Sequence, residues 1–198
     1  MNRTVYFIVL PFFILAFGYW LLSIQGFWPA ALVNGRPIFL RDWEENVRAS
    51  KQFYSAQNIQ SQLSKINFEG EESEKNIEKI RSQILNAMIE DKILHFEYKK
   101  SGGAELEKKV AERLSSVFEN RNQSNLNQGI ALLYGWDLSE FKNRILEPRA
   151  LREILEEDSQ KDHRDFDEFL KTVKQGASVF IFLTDFKWDK DKLEVVKR

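Results

Sequence analysis

The hydrophobic pattern opens with one long uninterrupted run. Val5 to Ile24 reads VYFIVLPFFILAFGYWLLSI, and no charged side chain occurs from Thr4 to Gly35. At about 1.5 Å per residue, twenty helical residues cross a hydrocarbon core of ~30 Å. Pro11 and Gly18 would weaken a helix in water more than one in lipid. Tyr19, Trp20, Phe27 and Trp28 cluster where such a helix would leave the bilayer, the place aromatic belts occupy. A cleaved signal peptide would carry a shorter apolar core, roughly 7–15 residues, and a small-x-small site. The nearest candidate, Pro29-Ala30-Ala31, has a proline in a poor place. The pattern therefore predicts an uncleaved transmembrane anchor over 1–29 and a separate domain over 30–198. Arg3 precedes the run and the next charge is Arg36, which orients the N-terminus inward. The expected location is the cell membrane, single-pass, with the N-terminus cytoplasmic and the C-terminal domain extracytoplasmic.

Beyond the run the pattern changes to short alternations and helical stripes. Ala31-Leu32-Val33 and Pro37-Ile38-Phe39 flank Asn34-Gly35, the strongest short hairpin signal, because both residues tolerate positive φ. A helix is expected from Asp42, read as its N-cap, with Trp43, Val47 and Tyr54 on one face, ending near Phe68-Glu69-Gly70. A second runs from about Ser73 to Lys100. Its wide apolar face (Ile77, Ile80, Ile84, Met88 beside Leu85, Ile89, Ile93, Phe96) marks it as central. Gly102-Gly103 reads as its stop. A third helix carries Leu106, Val110, Leu114 and Val117, and the polar stretch Glu119 to Gln128 reads as a loop. Ile130 to Tyr134 is a short apolar element ending at Gly135. Asp137-Leu138-Ser139-Glu140 reads as a capping box, opening a helix with Phe141, Ile145, Leu151, Ile154 and Leu155 that Pro148 should kink or divide. Glu156 to Asp165 reads as a charged break before a last short helix from Phe166 to Gly176.

The tail alternates with period two. Val179, Ile181 and Leu183 interleave with Phe180, Phe182, Phe186 and Trp188, a strand with both faces apolar. Asp189 to Lys192 is a turn and Leu193 to Val196 a second short strand. Lone hairpins are marginal in water. The two chain ends are therefore expected to meet in one small sheet, with the helices arching above it. The fold class is mainly α with a small β-sheet.

Composition narrows the function by exclusion. The 198 residues carry 29 Lys+Arg against 30 Asp+Glu, a net charge of -1. Nucleic-acid binding needs a basic stripe, so no nucleic-acid partner is expected. With no cysteine and only two histidines, His95 and His163, disulfides, thiolate chemistry and histidine-cysteine metal sites fall away. The acidic runs at Glu71-Glu72 and Glu156-Glu157-Asp158 read as solvated faces. His95 reads as a core-edge or surface histidine, since one histidine without partners makes no metal site. No nucleotide-binding, hydrolase-elbow or metalloprotease motif occurs. Neither a catalytic residue nor a metal or cofactor is expected.

Three blocks together carry a resemblance. The segment from Ala31 through Asn34-Gly35 to Asp42, the block Ile84 to Leu94 (ILNAMIEDKIL) in the second helix, and Leu133 to Ile145 (LYGWDLSEFKNRI) follow one another in order. Over roughly 30–157 the chain resembles the N-terminal chaperone domain of SurA- and PrsA-type extracytoplasmic foldases. The resemblance implies a SurA-N-like helical domain closed by N- and C-terminal hairpins. It also implies a chaperone that binds unfolded or exported polypeptide clients. The family often adds a parvulin prolyl isomerase, a small domain of about a hundred residues. Only about forty residues follow the resemblance here, without a histidine cluster, so no isomerase activity is expected. Tyr54, Phe96, Trp136 and Phe141 are the candidate client-binding aromatics, since such side chains bind diverse sequences without directional demands. The alternative function is an envelope-complex scaffold holding one dedicated partner with the same fold.

Overall fold

A computed structural model of the chain describes residues 27–60, 73–119 and 123–198. The apolar run Val5–Ile24 and the expected helix end at Phe68-Glu69-Gly70 lie outside the described residues. Among those described, no helix is long and apolar enough to cross a membrane. The architecture is mainly helical with two small sheets.

The Asn-Gly hairpin forms as its chemistry demands. β1 (Pro29–Val33) and β2 (Arg36–Phe39) pair antiparallel across Asn34 (φ 50) and Gly35 (φ 77). The chain then passes directly into α1 (Leu40–Gln60). Asp42 is not its N-cap. The Leu40 amide donates to the Trp28 carbonyl at 2.7 Å, so backbone from the strand end satisfies part of the first turn. Asp42 sits inside that turn, where a negative charge favours the helix dipole.

α2 (Ser73–Phe118) is a single helix of 46 residues, roughly 70 Å long at 1.5 Å per residue. The expected stop at Gly102-Gly103 and the separate third helix are therefore corrected. Two interior glycines cost about 2 kcal/mol relative to alanine. Leu106 and Leu114 beyond them are 3% and 4% exposed. Each buried leucine contributes about 1.5–3 kcal/mol, so packing of the second half outweighs the glycine penalty. Leu106 packs with Leu151 and Ile154, and Tyr98 and Val110 join from either side of the glycine pair.

α3 (Gln123–Tyr134) begins inside the stretch read as a loop. Leu126, Ile130 and Tyr134 recur every four residues and pack against Ala49 and Trp136 of one cluster. That stripe, hidden among polar residues, carries the helix. Gly135 (φ 71) ends it. The capping box is present in full: Glu140 N–H donates to the Asp137 side chain at 2.8 Å, and Asp137 N–H to Glu140 at 3.4 Å. It opens α4 (Leu138–Phe141), which passes through a π-helical turn (Lys142–Leu146) into α5 (Glu147–Lys161). Pro148 stands at the start of α5. It offers no N–H to Arg144 and its ring crowds that carbonyl, and the widened turn before it accommodates both. Pro148 thus divides the helix as expected.

The charged break is shorter than Glu156 to Asp165. α5 continues to Lys161 because Glu157 and Asp158 pair with Arg113 and Lys109 of α2. Only the turn at 162–165 remains, with His163 at φ 55. Asp165 then caps α6 (Phe166–Gly176) through the Asp167 and Glu168 amides.

The tail returns to the hairpin. β3 (Val179–Ile181) pairs antiparallel with β1, Ala31 opposite Ile181 and Val33 opposite Val179, giving the strand order β2-β1-β3. The two chain ends do meet in a sheet. However, β4 (Phe186–Asp189) and β5 (Glu194–Lys197) form a second, two-stranded ribbon rather than extending the first. α2 closes one edge of that ribbon: Ser82 Oγ donates to the Val195 carbonyl at 3.2 Å, and Val195 N–H donates to Asn86 Oδ1 at 3.1 Å. Sheet, ribbon, α1 and the first half of α2 enclose the main core, built on Val33, Ile38, Trp43, Leu85, Ile89, Ile93, Ile181 and Phe186. Trp43 meets Phe186 edge to face at 6.3 Å, and its indole N–H donates to the Arg81 carbonyl at 3.1 Å.

Candidate functional site

α2 outruns the main core, and a cleft of about 830 Å³ lies along its flank. One wall is a stripe of α2 that recurs at helical spacing: Met88, Asp91, His95 and Tyr98. Beyond the glycines Leu106, Val110 and Leu114 extend the wall. The facing wall is the start of α1 with Asp42 and Asn46, the π-helical turn with Lys142, Asn143 and Arg144, and Pro148 and Leu151 of α5. Pro37, Ile38 and Phe39 of the edge strand β2 close one end. The cleft thus has an apolar lining interrupted by paired and single charges.

Arg144 ties the facing wall together. Its guanidinium donates to the Asp42 carboxylate at 3.2 Å, to Asn46 Oδ1 at 3.2 Å and to the Asp42 carbonyl at 3.4 Å. It also lies 5.7 Å over the Trp136 ring. The π-helical turn sets this reach, so the divided helix has a structural consequence at the cleft. On the other wall Asp91 is half-buried. Burial, reinforced by the neighbouring Glu90 charge, pushes its carboxyl up to about 7, against the attraction of Arg152 and Lys92. His95 is half-buried, as a core-edge histidine should be. Burial first, then Lys99, Arg36 and Lys92, pushes its imidazole below the ordinary value. Burial likewise pushes the Tyr98 phenol up. Burial thus favours the neutral form of all three groups on this wall, and the departure is large only for Asp91.

Glu90, the residue before Asp91, stands about 100° around the helix and outside the cleft lining. It takes Arg152 of α5 and Lys174 of α6, the latter at 3.2 Å, and so fastens both helices to α2.

The four candidate aromatics occupy two places, neither of them in this cleft. Trp136 is 3% exposed and packs with Phe141 and Tyr134 against Ala49 of α1. Its indole N–H donates to Glu45 at 2.9 Å. The Arg48 hydrogen bond, with help from Trp136, holds that carboxyl below its usual range despite some burial. Tyr134 stacks on both Trp136 (5.7 Å) and Phe53 (5.1 Å), and Phe53 meets Tyr54 edge to face at 5.8 Å. Tyr54, Trp136 and Phe141 thus belong to one aromatic network between α1, α3 and α4. Phe96 stands apart on α2, between the Arg36 guanidinium at 5.2 Å and the Lys100 ammonium at 4.7 Å. The cleft-facing stripe was not singled out from the sequence. Its signal was a carboxylate, Asp91, set beside the wide apolar face of the central helix, in helical phase with Met88, His95 and Tyr98.

Among the described residues no group of three or more His, Cys, Asp or Glu side chains could hold a metal ion. The chain matches the family model of the SurA-like N-terminal domain over residues 2–129. The chain belongs to this SurA-like N-terminal domain family. The match covers both hairpin strands, α1, all of α2 and half of α3. The cleft's facing wall beyond Asp42 and Asn46, and the strand β3 that completes the sheet, lie outside it. No curated protein and no solved structure matches the chain. Membership of a SurA-like family makes this a chaperone-type domain, the class anticipated from the three sequence blocks.

Proposed function

We propose that this chain is a membrane-anchored extracytoplasmic holdase. It binds non-native or translocating polypeptide segments in the cleft beside α2 and has no prolyl isomerase activity. The cleft carries this reading. An apolar lining of about 830 Å³, open along one helix, takes side chains of varied shape. Polar groups such as Lys99, Glu107 and Asn143 at its walls hydrogen-bond to any peptide backbone without selecting sequence. The family supports a chaperone role. The uncharged run Val5–Ile24 supports the anchor, and Arg3 the orientation.

The full chain in lipid nanodiscs should slow aggregation of an unrelated denatured protein. Ala111→Glu, which puts a charge on the exposed lip of the cleft, should weaken that protection while leaving the fold intact. Aggregation at the same rate with and without the chain would replace the holdase with a scaffold for one dedicated partner. Isomerisation of a proline peptide should match buffer alone; a rate rising with protein concentration would overturn the non-enzymatic reading. Protease added outside spheroplasts should digest the domain, and protection there would reverse the topology.

A further inference from the structure

Among the described residues nothing covers one face of the sheet. Val33 and Ile181 point into the core, so Leu32 and Phe180, directly opposite one another in register, point out. Phe180 is 60% exposed and Phe182, next along the same face, 42%. Their rings meet edge to face at 4.8 Å, forming one apolar ridge. The Phe182 amide donates to the Ala30 carbonyl, which places the ridge two residues from Trp28, itself 45% exposed. Arg41, exposed at the start of α1, lies 5.5 Å from the ring centroid of Phe27, the residue before Trp28. Exposed aromatics with an arginine at their margin are the chemistry of a bilayer interface.

Chain length says what lies against this face. Three residues lie between Ile24 and Trp28, a reach of at most about 14 Å over the four steps. The headgroup layer is itself about 5–8 Å thick. If Val5–Ile24 spans the bilayer, β1 therefore stays within or just above the headgroups.

We propose that the outer face of the β2-β1-β3 sheet, with Phe180 and Phe182 as its anchors and Trp28 at its edge, docks on the phospholipid surface. This rests on the anchor reading. The domain is then not a loose tether but a body seated on the membrane by a second, non-spanning contact. Because β2 closes one end of the cleft, seating the sheet also fixes the cleft at the lipid surface, where an emerging chain would first appear.

The cysteine-free sequence makes the test direct. A spin label at Thr184→Cys, beside the ridge, and another at Glu112→Cys, on the far half of α2, are compared in the full chain in vesicles of zwitterionic and anionic phospholipid. The label at 184 should be relaxed by oxygen and shielded from a water-soluble nickel chelate, and the label at 112 the reverse. Phe180→Ser with Phe182→Ser should move the label at 184 to the aqueous pattern, while the chain still resists carbonate extraction. An aqueous pattern at 184 in a carbonate-resistant chain overturns the docking and leaves the anchor standing. Shielding from both reagents overturns it in favour of a protein occupant. Release by carbonate overturns the anchor, and the docking with it.

Discussion

The two halves of α2 are held by different forces. The first half packs its Leu85, Ile89 and Ile93 face against α1, the sheet and the ribbon, and those three side chains are fully buried. The second half touches mainly α5. Leu106, Leu151 and Ile154 make a narrow seam there, flanked by ion pairs from Lys109 and Arg113. The first half is the foundation of the fold, leaving only its Met88, Asp91 and His95 flank to the cleft, and the second is an arm that extends that wall.

The comparison breaks most severely at the tail. Removing residues 177–198 takes Ile181, Phe186 and Val195 from the main core. At about 1.5–3 kcal/mol each, roughly 5–9 kcal/mol is lost, comparable with the whole stability of a domain. The truncated chain should show no cooperative unfolding transition by circular dichroism. A transition retained at the full-length midpoint would mean that the sheet end is not the foundation.

Asp91 tests the boundary between the halves. Its folded-state carboxyl titrates at about 7, above the ordinary value of 3.8. Below pH 4 both folded and unfolded chains hold the proton and no penalty arises. Between pH 4 and 7 the unfolded chain gives it up first, so stability falls as pH rises and the penalty is complete above 7. Asp91→Asn should therefore stabilise the domain at pH 8 by roughly 1–4 kcal/mol, with little effect at pH 4. Urea denaturation at the two pH values checks this; equal effects at both would remove the buried acid from the account.

Much of this division was legible in the sequence, and what was not has a common cause. The Asn34-Gly35 hairpin, the capping box at Asp137–Glu140, the break before Pro148 and α6 rest on local chemistry, and all formed as read. The misread places are where a distant element decides. Gly102-Gly103 is a stop signal in isolation, but α5 lies alongside and carries the helix through it. Gln123–Gln128 is polar, but Leu126 finds the Trp136 cluster. Asp42 is a good cap, but the Trp28 carbonyl serves the Leu40 amide and Arg144 claims the carboxylate. The cleft was missed for the same reason: its facing wall comes from residues some fifty positions away in the chain, brought in by the π-helical turn.

Gly103 gives a smaller and opposite effect. A Cβ there would meet only Lys99 Cγ of the same helix, at an ordinary 3.7 Å. Gly103→Ala should stabilise the arm by about 0.5–1 kcal/mol, because the unfolded chain loses freedom the helix does not use. The same substitution should slow amide exchange between residues 104 and 118. Destabilisation by alanine would mean that the helix needs flexibility, or a bend, at this point.

The smallest effect belongs to Arg113. Its guanidinium forks onto Glu157 at 2.8 and 2.9 Å and reaches Glu153 at 3.6 Å. The geometry is good, but both partners stand largely in water, where screening and side-chain entropy remove most of the gain. Arg113→Ala should thus shift the unfolding midpoint less than Gly103→Ala does, and added salt should shrink the shift further. Its local consequence should be clearer. The seam of Leu106, Leu151 and Ile154 holds the near part of the arm, whereas Arg113 clamps the part beyond it. Amide exchange should accelerate toward Phe118 and in the last turn of α5, while the residues around Ile89 stay protected. If exchange rises equally in both halves of α2, the two are one cooperative unit and the arm is no more mobile than the foundation.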